Sequence, residues 1–172
     1  EGFNHRDIKP DNIGLGENRN RALTLKLYDF SLSDTSAENI RAGTPPYLDP
    51  FLGARRPPRW DLYAERYAAA MTLHEMACGT LPNWGNEPGE PIRDDAWLRL
   101  SSEHFDPAVR EDLTAFFERA LHRDFRKRYD NADQMSLAWR LVFQEIDQTG
   151  SDDGESDTSD IAVDLAATPF DR

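Results

Sequence analysis

The chain has 172 residues, a hydrophobic content of 38% and a formal net charge of -12. This length and apolar content suit one soluble domain with a sizeable core and exclude a fully disordered chain. The strong negative charge excludes non-specific nucleic-acid binding as the main role of this segment. A single cysteine rules out an internal disulfide and favours a reducing compartment, so we expect a cytoplasmic protein. No apolar run is long enough to span a membrane.

The first predicted element is a β-hairpin near the N-terminus. Residues 22–30, ALTLKLYDF, alternate in polarity and place three leucines on one face, as a half-buried strand does. Residues 13–15 supply a partner strand beside the turn-rich sequence GLGENRNR. The segment 31–60 is rich in serine, threonine and proline and shows little periodicity, so we expect a long ordered loop there.

Residues 61–79 predict a helix buried at the centre of the domain. Asp61 is a good N-cap, and Gly79 is typical of the residue that ends a helix. Apolar residues occupy nearly every face of the segment between them, which is typical of a helix surrounded by protein.

Two amphipathic helices are predicted in the second half of the chain. The first begins with Asp106 as its cap and Pro107 at the first helical position. Its apolar stripe consists of Val109, Leu113, Phe116, Phe117, Ala120 and Leu121. The second begins with Asn131 and Gln134, which are spaced like a capping box. Between the central helix and the first of these two, residues 97–100 (WLRL) suggest a further short helix.

The sequence changes character after residue 147. Residues 148–172 carry seven acidic residues and one basic residue, which is half of the net charge of the whole chain. This composition predicts an acidic disordered tail or linker, which would lead to further domains in a longer protein. We therefore divide the chain into a globular part, 1–147, and a tail, 148–172. The globular part is predicted to have an α+β, mainly helical fold, with a small hairpin followed by helices around a buried central helix.

One short stretch concentrates polar chemistry, and further motifs follow it in a fixed order. The sequence HRDIKPDN, at 5–12, resembles the catalytic loop of protein kinases, and the Asp-Phe at 29–30 resembles their metal-binding motif. The sequence GTPPYLDP, at 43–50, resembles the end of a kinase activation segment, and the helices predicted after it resemble those of the C-terminal kinase lobe. The chain is accordingly identified as similar to eukaryotic-like bacterial serine/threonine kinases. Its residues 43–85 resemble the kinase segment of phage-growth-limitation proteins.

The resemblance assigns roles to four polar residues in the transfer of the ATP γ-phosphoryl group to a protein hydroxyl. It implies that Asp7 is the base and that Lys9 contacts the phosphate. A lysine at this position resembles the serine/threonine-specific branch. Asn12 and Asp29 are implied as ligands of Mg²⁺, which prefers such hard oxygen donors. The resemblance thus implies ATP, Mg²⁺ and a protein substrate as partners.

Supporting roles follow from the same resemblance. His5 is expected to pack against Phe30, and Asp61 to hold the backbone of the 5–7 turn in addition to capping its helix. Arg6 is expected to bind a phosphate on the activation loop through charge-assisted hydrogen bonds, unless the hydroxyl-bearing residues there are simply loop residues. The candidate acceptors of that phosphate are Ser31, Ser33, Thr35, Ser36 and Thr44. Thr44 is expected to contact the catalytic residues.

The chain departs from the family pattern in three places. Ser31 replaces the glycine of Asp-Phe-Gly, and a residue other than glycine has poor access to positive φ. The sequence at 49–51 is Asp-Pro-Phe where the family has Ala-Pro-Glu, so the usual acidic partner of Arg128 is absent. Asp49 or another acid is expected to take that partner's place, unless the activation segment is less firmly tied. Tyr129 stands where a proline is usual.

The family also requires a nucleotide-binding lobe upstream of this loop, with a glycine-rich segment and a strand lysine. This chain contains neither, so we expect it to be the C-terminal lobe of a kinase and inactive alone. Two alternatives stay open: a pseudokinase that serves as a scaffold or binding module, and an inert fragment of an active parent.

Overall fold

The structure is a computed structural model that describes residues 4–85, 92 and 95–149. It begins with an antiparallel hairpin of β1 (Ile13–Glu17) and β2 (Leu23–Leu27), in which Ile13 pairs with Leu27. The turn between the strands is closed by Asn18, whose side chain accepts hydrogen bonds from the backbone of Asn20 and Ala22. The predicted hairpin is confirmed.

Helix α1 (Leu62–Cys78) is the central element of the helical part. The Asp61 side chain accepts a hydrogen bond from the Ala64 amide, and Gly79 ends the helix at φ 74°, a left-handed conformation that glycine adopts at little cost. The helix buries residues on several faces: Ala64, Tyr67, Ala68, Ala70, Met71, Thr72 and His74. Both predicted ends and the central position are confirmed.

Helix α2 (Arg110–Ala120) starts later than predicted. The Asp106 side chain accepts a hydrogen bond from the Ala108 amide, only two residues on, and so forms a local turn. Residues 107–109 form a turn, and Val109, at φ −123°, lies outside the helical region, so the helix begins four residues after Asp106. The assignment of Asp106 as its cap was wrong. The apolar stripe is confirmed, since all six of its residues are buried in the main core.

Helix α3 (Ala132–Thr149) is capped nearly as predicted. Asn131 accepts a hydrogen bond from the Gln134 amide, while the Gln134 side chain accepts from Asp130, one residue earlier than in a standard capping box.

The short helix predicted at 97–100 is wrong. Arg99 instead exchanges two backbone hydrogen bonds with Asn83, which holds this segment extended.

The architecture confirms the predicted α+β, mainly helical fold. One core joins α1, α2 and α3, and a smaller cluster of Leu52, Trp60 and Ala64 anchors the long loop that precedes α1. That loop contains short 3₁₀ turns at Pro45–Tyr47 and Leu52–Ala54. Within the described part of the chain, no helix is long and apolar enough to cross a membrane. The predicted acidic tail lies outside the described residues, apart from the last turn of α3.

Candidate active site

The segment 5–12 lies between the hairpin and α1 and is fixed to both. The Thr72 hydroxyl of α1 donates to the Ile8 carbonyl at 3.1 Å, and Pro10 starts a 3₁₀ turn that leads into β1. Arg6 adopts φ 71°, an uncommon conformation for a residue other than glycine. Such strain persists where surrounding contacts fix the backbone, as they do here.

Asp7 is the point on which the polar groups of this segment converge. Its Oδ1 accepts hydrogen bonds from the Thr44 amide at 2.9 Å and from the Thr44 hydroxyl at 2.6 Å. Its Oδ2 pairs with the Lys9 ammonium at 3.0 Å and accepts from the Asn12 amide nitrogen at 3.1 Å. Lys9 also donates to the Thr44 hydroxyl at 2.8 Å. Four residues predicted as site residues therefore form one connected cluster.

The contacts of Asp7 keep its carboxylate ionised. Burial alone would raise the pKa of Asp7, but the hydrogen bonds from Thr44, Lys9 and Asn12 and the charge of Lys9 together lower it below its ordinary value. At neutral pH the side chain is therefore a charged acceptor that can orient a hydroxyl group.

Asn12 and Asp29 are brought together by the hairpin. The Tyr28 amide donates to the Asn12 carbonyl at 2.8 Å, so Asp29 follows directly beside Asn12. The Asn12 side-chain nitrogen faces Asp7, and its amide oxygen is the atom left to meet a cation. Asp29 is exposed, and hydrogen bonds from Ser31 lower the pKa of its carboxyl.

These two side chains offer an oxygen donor set that suits Mg²⁺. This ion is commonly bound by one or two carboxylates together with substrate phosphates, rather than by a cage made only of protein groups. Among the described residues, there is no group of three or more histidine, cysteine or acidic side chains placed to hold a metal ion.

His5 occupies a supporting position. Its ring packs edge-on against Phe30, with a centroid distance of 4.7 Å, and its Nε2 donates to the Tyr28 carbonyl at 2.7 Å. These contacts join segment 5–12 to the end of β2. The Nδ1 atom of the ring also accepts a hydrogen bond from the Asp7 amide at 3.3 Å, so the ring serves packing and two backbone bonds, as expected for a structural histidine.

The residue that holds the 5–7 backbone is Glu65, and the expectation for Asp61 was wrong. The Glu65 carboxylate accepts from the His5 amide at 2.6 Å and from the Arg6 amide at 3.2 Å. Asp61 instead caps α1 and forms an ion pair with Arg55. Glu65 lies one helical turn beyond Asp61, so its carboxylate can reach segment 5–7 while Asp61 stays at the helix end.

Arg6 is buried and engaged with backbone carbonyls. Its guanidinium donates to the carbonyls of Thr35, Ser36 and Asn39 and lies 4.9 Å from the ring centre of Trp60. The structure therefore joins Arg6 to the main chain of the activation segment. Within the described residues, the Arg6 guanidinium forms no hydrogen bond with a serine or threonine hydroxyl group of this loop.

Arg128 pairs with Asp49, which was one of the acids considered as a substitute for the absent glutamate. The Asp49 carboxylate accepts from Arg128 at 2.6 and 3.2 Å and from Arg55 at 2.5 Å.

The roles of Arg55 and Glu65 were not predicted from the sequence. No sequence pattern near these two residues predicts their contacts. The partners of Glu65 lie far along the chain, and Arg55 pairs with Asp49 within an irregular loop.

Comparisons with known proteins agree with this geometry. Residues 1–139 match the family described as the protein kinase domain. The chain is 48% identical over 153 residues to the probable kinase PglW of Streptomyces coelicolor, covering 87% of this chain and 10% of that protein. It is 30% identical over 153 residues to CDPK-related kinase 3 of Arabidopsis thaliana, covering 81% and 24% of the two chains. The resemblance stated from the motifs is thereby confirmed.

A solved structure shows the same fold. The kinase domain of PknI from Mycobacterium tuberculosis superimposes with a TM-score of 0.54 and 24% identity, over 82% of this chain and 46% of that one. The chain thus spans a tenth to a quarter of the two curated relatives and about half of this domain.

Proposed function

The chain belongs to the protein kinase domain family, and from this premise we propose that it supplies the catalytic lobe of a serine/threonine kinase. The observation that carries the proposal is the Asp7 cluster. An ionised carboxylate, an ammonium and a threonine are joined within hydrogen-bonding distance on the loop whose sequence matches the family motif.

Each residue of the cluster has a definite task in phosphoryl transfer. Asp7 orients the substrate hydroxyl and accepts its proton as the oxygen attacks the γ-phosphorus of ATP. Lys9 is a compact positive charge that can stabilise the transferring phosphoryl group. Thr44 holds both side chains in position, which limits their movement before the reaction.

Asn12 and Asp29 would hold Mg²⁺ through their oxygen atoms. When bound, the ion supplies positive charge to the phosphate oxygens. The remaining phosphate contacts of a kinase come from a second lobe. The larger size of the matched relatives supports the view that this chain acts within a longer protein.

The test is phosphoryl transfer by the complete protein that contains this chain. We expect it to label itself or a general protein substrate on serine or threonine with radiolabelled ATP, and Asp7→Asn to abolish the labelling. Asp11→Asn is the matched control, since Asp11 is an exposed aspartate in the same loop. The 172-residue chain alone should show no measurable transfer.

The outcomes separate an enzyme from a scaffold. Unchanged labelling by the Asp7→Asn variant would remove Asp7 from its role. Binding of ATP without any transfer by the complete protein would favour a pseudokinase scaffold over an enzyme. Phosphotyrosine as the main product would contradict the serine/threonine assignment.

A further inference from the structure

Residues 35–39, in the middle of the activation segment, are held by one buried guanidinium group. Arg6 is only 2% exposed. Its Nη1 atom donates to the carbonyls of Thr35 and Ser36, and its Nη2 atom donates to the Asn39 carbonyl at 2.7 Å. All three acceptors belong to the main chain, so they are present whatever side chains the segment carries.

The same stretch is also fixed by packing. Ala37 and Ile40 pack against the small cluster that contains Trp60, and the Trp60 amide donates to the Ala37 carbonyl at 2.7 Å. Further along, a Cβ atom on Gly43 would lie 2.7 Å from the Arg6 carbonyl oxygen, so the backbone passes directly against Arg6 a second time. The path of the segment is therefore defined by groups that the chain itself supplies.

The two ends of this segment carry groups of the proposed active site. Asp29 is one of the two residues proposed to meet Mg²⁺, and Thr44 donates two hydrogen bonds to Asp7. Holding residues 35–39 against Arg6 fixes the chain between these ends, which limits how far either end moves. The bonds of Arg6 therefore bear on the geometry in which phosphoryl transfer takes place.

The charges of the segment disfavour a phosphate as the group that ties it down. Residues 31–39, SLSDTSAEN, contain two acidic residues and no lysine or arginine. A phosphate on Thr35 would add about 1.5 to 2 negative charges directly beside Asp34. It would reach the Arg6 guanidinium only by displacing a carbonyl acceptor, because that group is closed to solvent. The Nε atom of Arg6, which has no acceptor among the described residues, is buried as well.

We propose that the bonds from Arg6 to the main chain take the place of a phosphate, so that this lobe keeps its activation segment ordered without phosphorylation of that segment. The inference rests on the proposed function, because it concerns the regulation of the same site. Charge-assisted hydrogen bonds are stronger than neutral ones, and one planar guanidinium with several donors fixes several carbonyls at once. The activation segment is then a permanent part of the site rather than its switch.

The first experiment removes hydroxyl groups from the segment and leaves the acceptors of Arg6 in place. The complete protein carries three substitutions together: Ser33→Ala, Thr35→Ala and Ser36→Ala. We expect its initial rate of labelling a general protein substrate with radiolabelled ATP to stay within about twofold of the wild type, the usual range for surface substitutions. Ser31 and Thr44 keep their hydroxyl groups, because they bond to Asp29 and Asp7.

A second arm covers the two hydroxyl groups that the first leaves in place. The wild-type complete protein is treated with a broad-specificity phosphatase, and mass spectrometry verifies that residues 31–44 carry no phosphate. After removal of the phosphatase, labelling should start at the full rate without a lag, because no phosphate has to be restored first.

Arg6→Met tests the arginine itself, and Arg41→Met is the matched control, since Arg41 is an exposed arginine of the same segment. We expect Arg6→Met to lower the initial rate roughly 10-fold or more, the size of one lost hydrogen bond to a charged group. Arg41→Met should keep the wild-type rate. Amide hydrogen exchange should become faster at residues 35–42 in Arg6→Met alone, while α1 stays protected in every variant.

The outcomes separate this inference from the proposed function. A rate well below that of the wild type in the triple variant, or a lag after phosphatase treatment, would overturn the inference and leave the proposed function intact. A wild-type rate and wild-type exchange in Arg6→Met would do the same. The triple variant and the phosphatase arm decide the question even where Arg6→Met fails to fold. Absence of transfer by the wild-type protein would contradict the proposed function, and the inference with it.

Discussion

Asp49 is a single carboxylate that holds two arginines away from water. Its side chain is 0% exposed, that of Arg128 is 2% exposed and that of Arg55 is 7% exposed. Arg55 also forms an ion pair with Asp61, at the start of α1. The Arg128 guanidinium lies 4.7 Å from the ring centre of Tyr67. The end of the activation segment is therefore tied to the helical core through a buried charge network.

Removing Asp49 should be costly, because it would leave the buried Arg128 guanidinium without a carboxylate and Arg55 with only that of Asp61. We expect Asp49→Ala to lower the free energy of unfolding by about 3–5 kcal/mol, the range for one partner lost from a buried ion pair. Urea denaturation of the 172-residue chain, followed by circular dichroism, measures this change.

The chain contains a matched surface pair as a control. Asp124 pairs with Arg126, whose side chain is 75% exposed. Asp124→Ala should lower the free energy of unfolding much less than Asp49→Ala does, since exposed pairs contribute little and the lost cap of a short turn adds a modest amount. A similar loss in the two variants would contradict the assignment of Asp49 as the tie between the loop and the core.

At the scale of elements, prediction from sequence succeeded where the partners are close along the chain. The Asp61 cap bonds to Ala64, and the Asn131 cap bonds to Gln134, three residues away in each case. Glu65 reaches His5 across 60 residues, and such a contact is fixed by tertiary packing rather than by a local pattern. The order of the motifs along the chain was therefore enough to identify the fold and the loop at 5–12. It was not enough to identify Glu65 as the residue that supports this loop, because that contact depends on tertiary packing.

Local backbone conformation and a pairing across the chain explain the two misplaced elements. After Asp106, a turn over residues 107–109, with Val109 outside the helical region, precedes the start of α2. At Arg99, pairing with Asn83 replaced the helix that the apolar residues suggested. A short apolar run is compatible with either helix or extended structure, and the partner across the loop decides between them.

Helix α1 contains a histidine that is fully enclosed. His74 is 0% exposed, packs between Phe105 and Phe117, and donates from Nδ1 to the Thr80 carbonyl at 2.8 Å. Burial lowers the pKa of His74, partly offset by the bond to Thr80. The folded state therefore keeps this ring neutral at a pH where an unfolded chain would bind a proton.

This asymmetry predicts a loss of stability in mild acid. The contribution of a neutral His74 is complete above the unfolded pKa, about 6.5, and is lost as pH falls toward its folded pKa, because the unfolded state then binds more protons. Below pH 6.5, the unfolding free energy should fall by up to about 1.4 kcal/mol per pH unit more steeply in the wild type than in His74→Gln. Urea denaturation between pH 7.5 and 5.5 measures the slopes.

The control for this prediction is His104→Gln, since His104 is exposed. Its slope should match that of the wild type. Equal slopes in the wild type and in His74→Gln would show that His74 binds its proton equally well in both states. The comparison uses slopes rather than absolute stabilities, so any packing loss in His74→Gln does not affect it.

At the scale of the whole molecule, the hairpin is the least supported part of the fold. Leu15 and Leu25 are directly paired across β1 and β2, yet they are 71% and 63% exposed, and Leu23 on the same face is 62% exposed. Two-stranded hairpins are marginally stable in water without a packed face. This apolar face lies opposite the one that carries Gly14 and Tyr28.

We therefore expect the hairpin of the 172-residue chain to open locally while the helical core stays folded. Amide hydrogen exchange followed by mass spectrometry should show fast exchange for Ile13–Glu17 and Leu23–Leu27, and slow exchange for α1, because the central helix is buried on most sides. In the complete protein the hairpin should become protected, since burial of its leucines adds apolar stabilisation. Equal protection of hairpin and α1 in the 172-residue chain would show that the hairpin needs no cover. Protection unchanged between the two proteins would mean that the leucine face stays open.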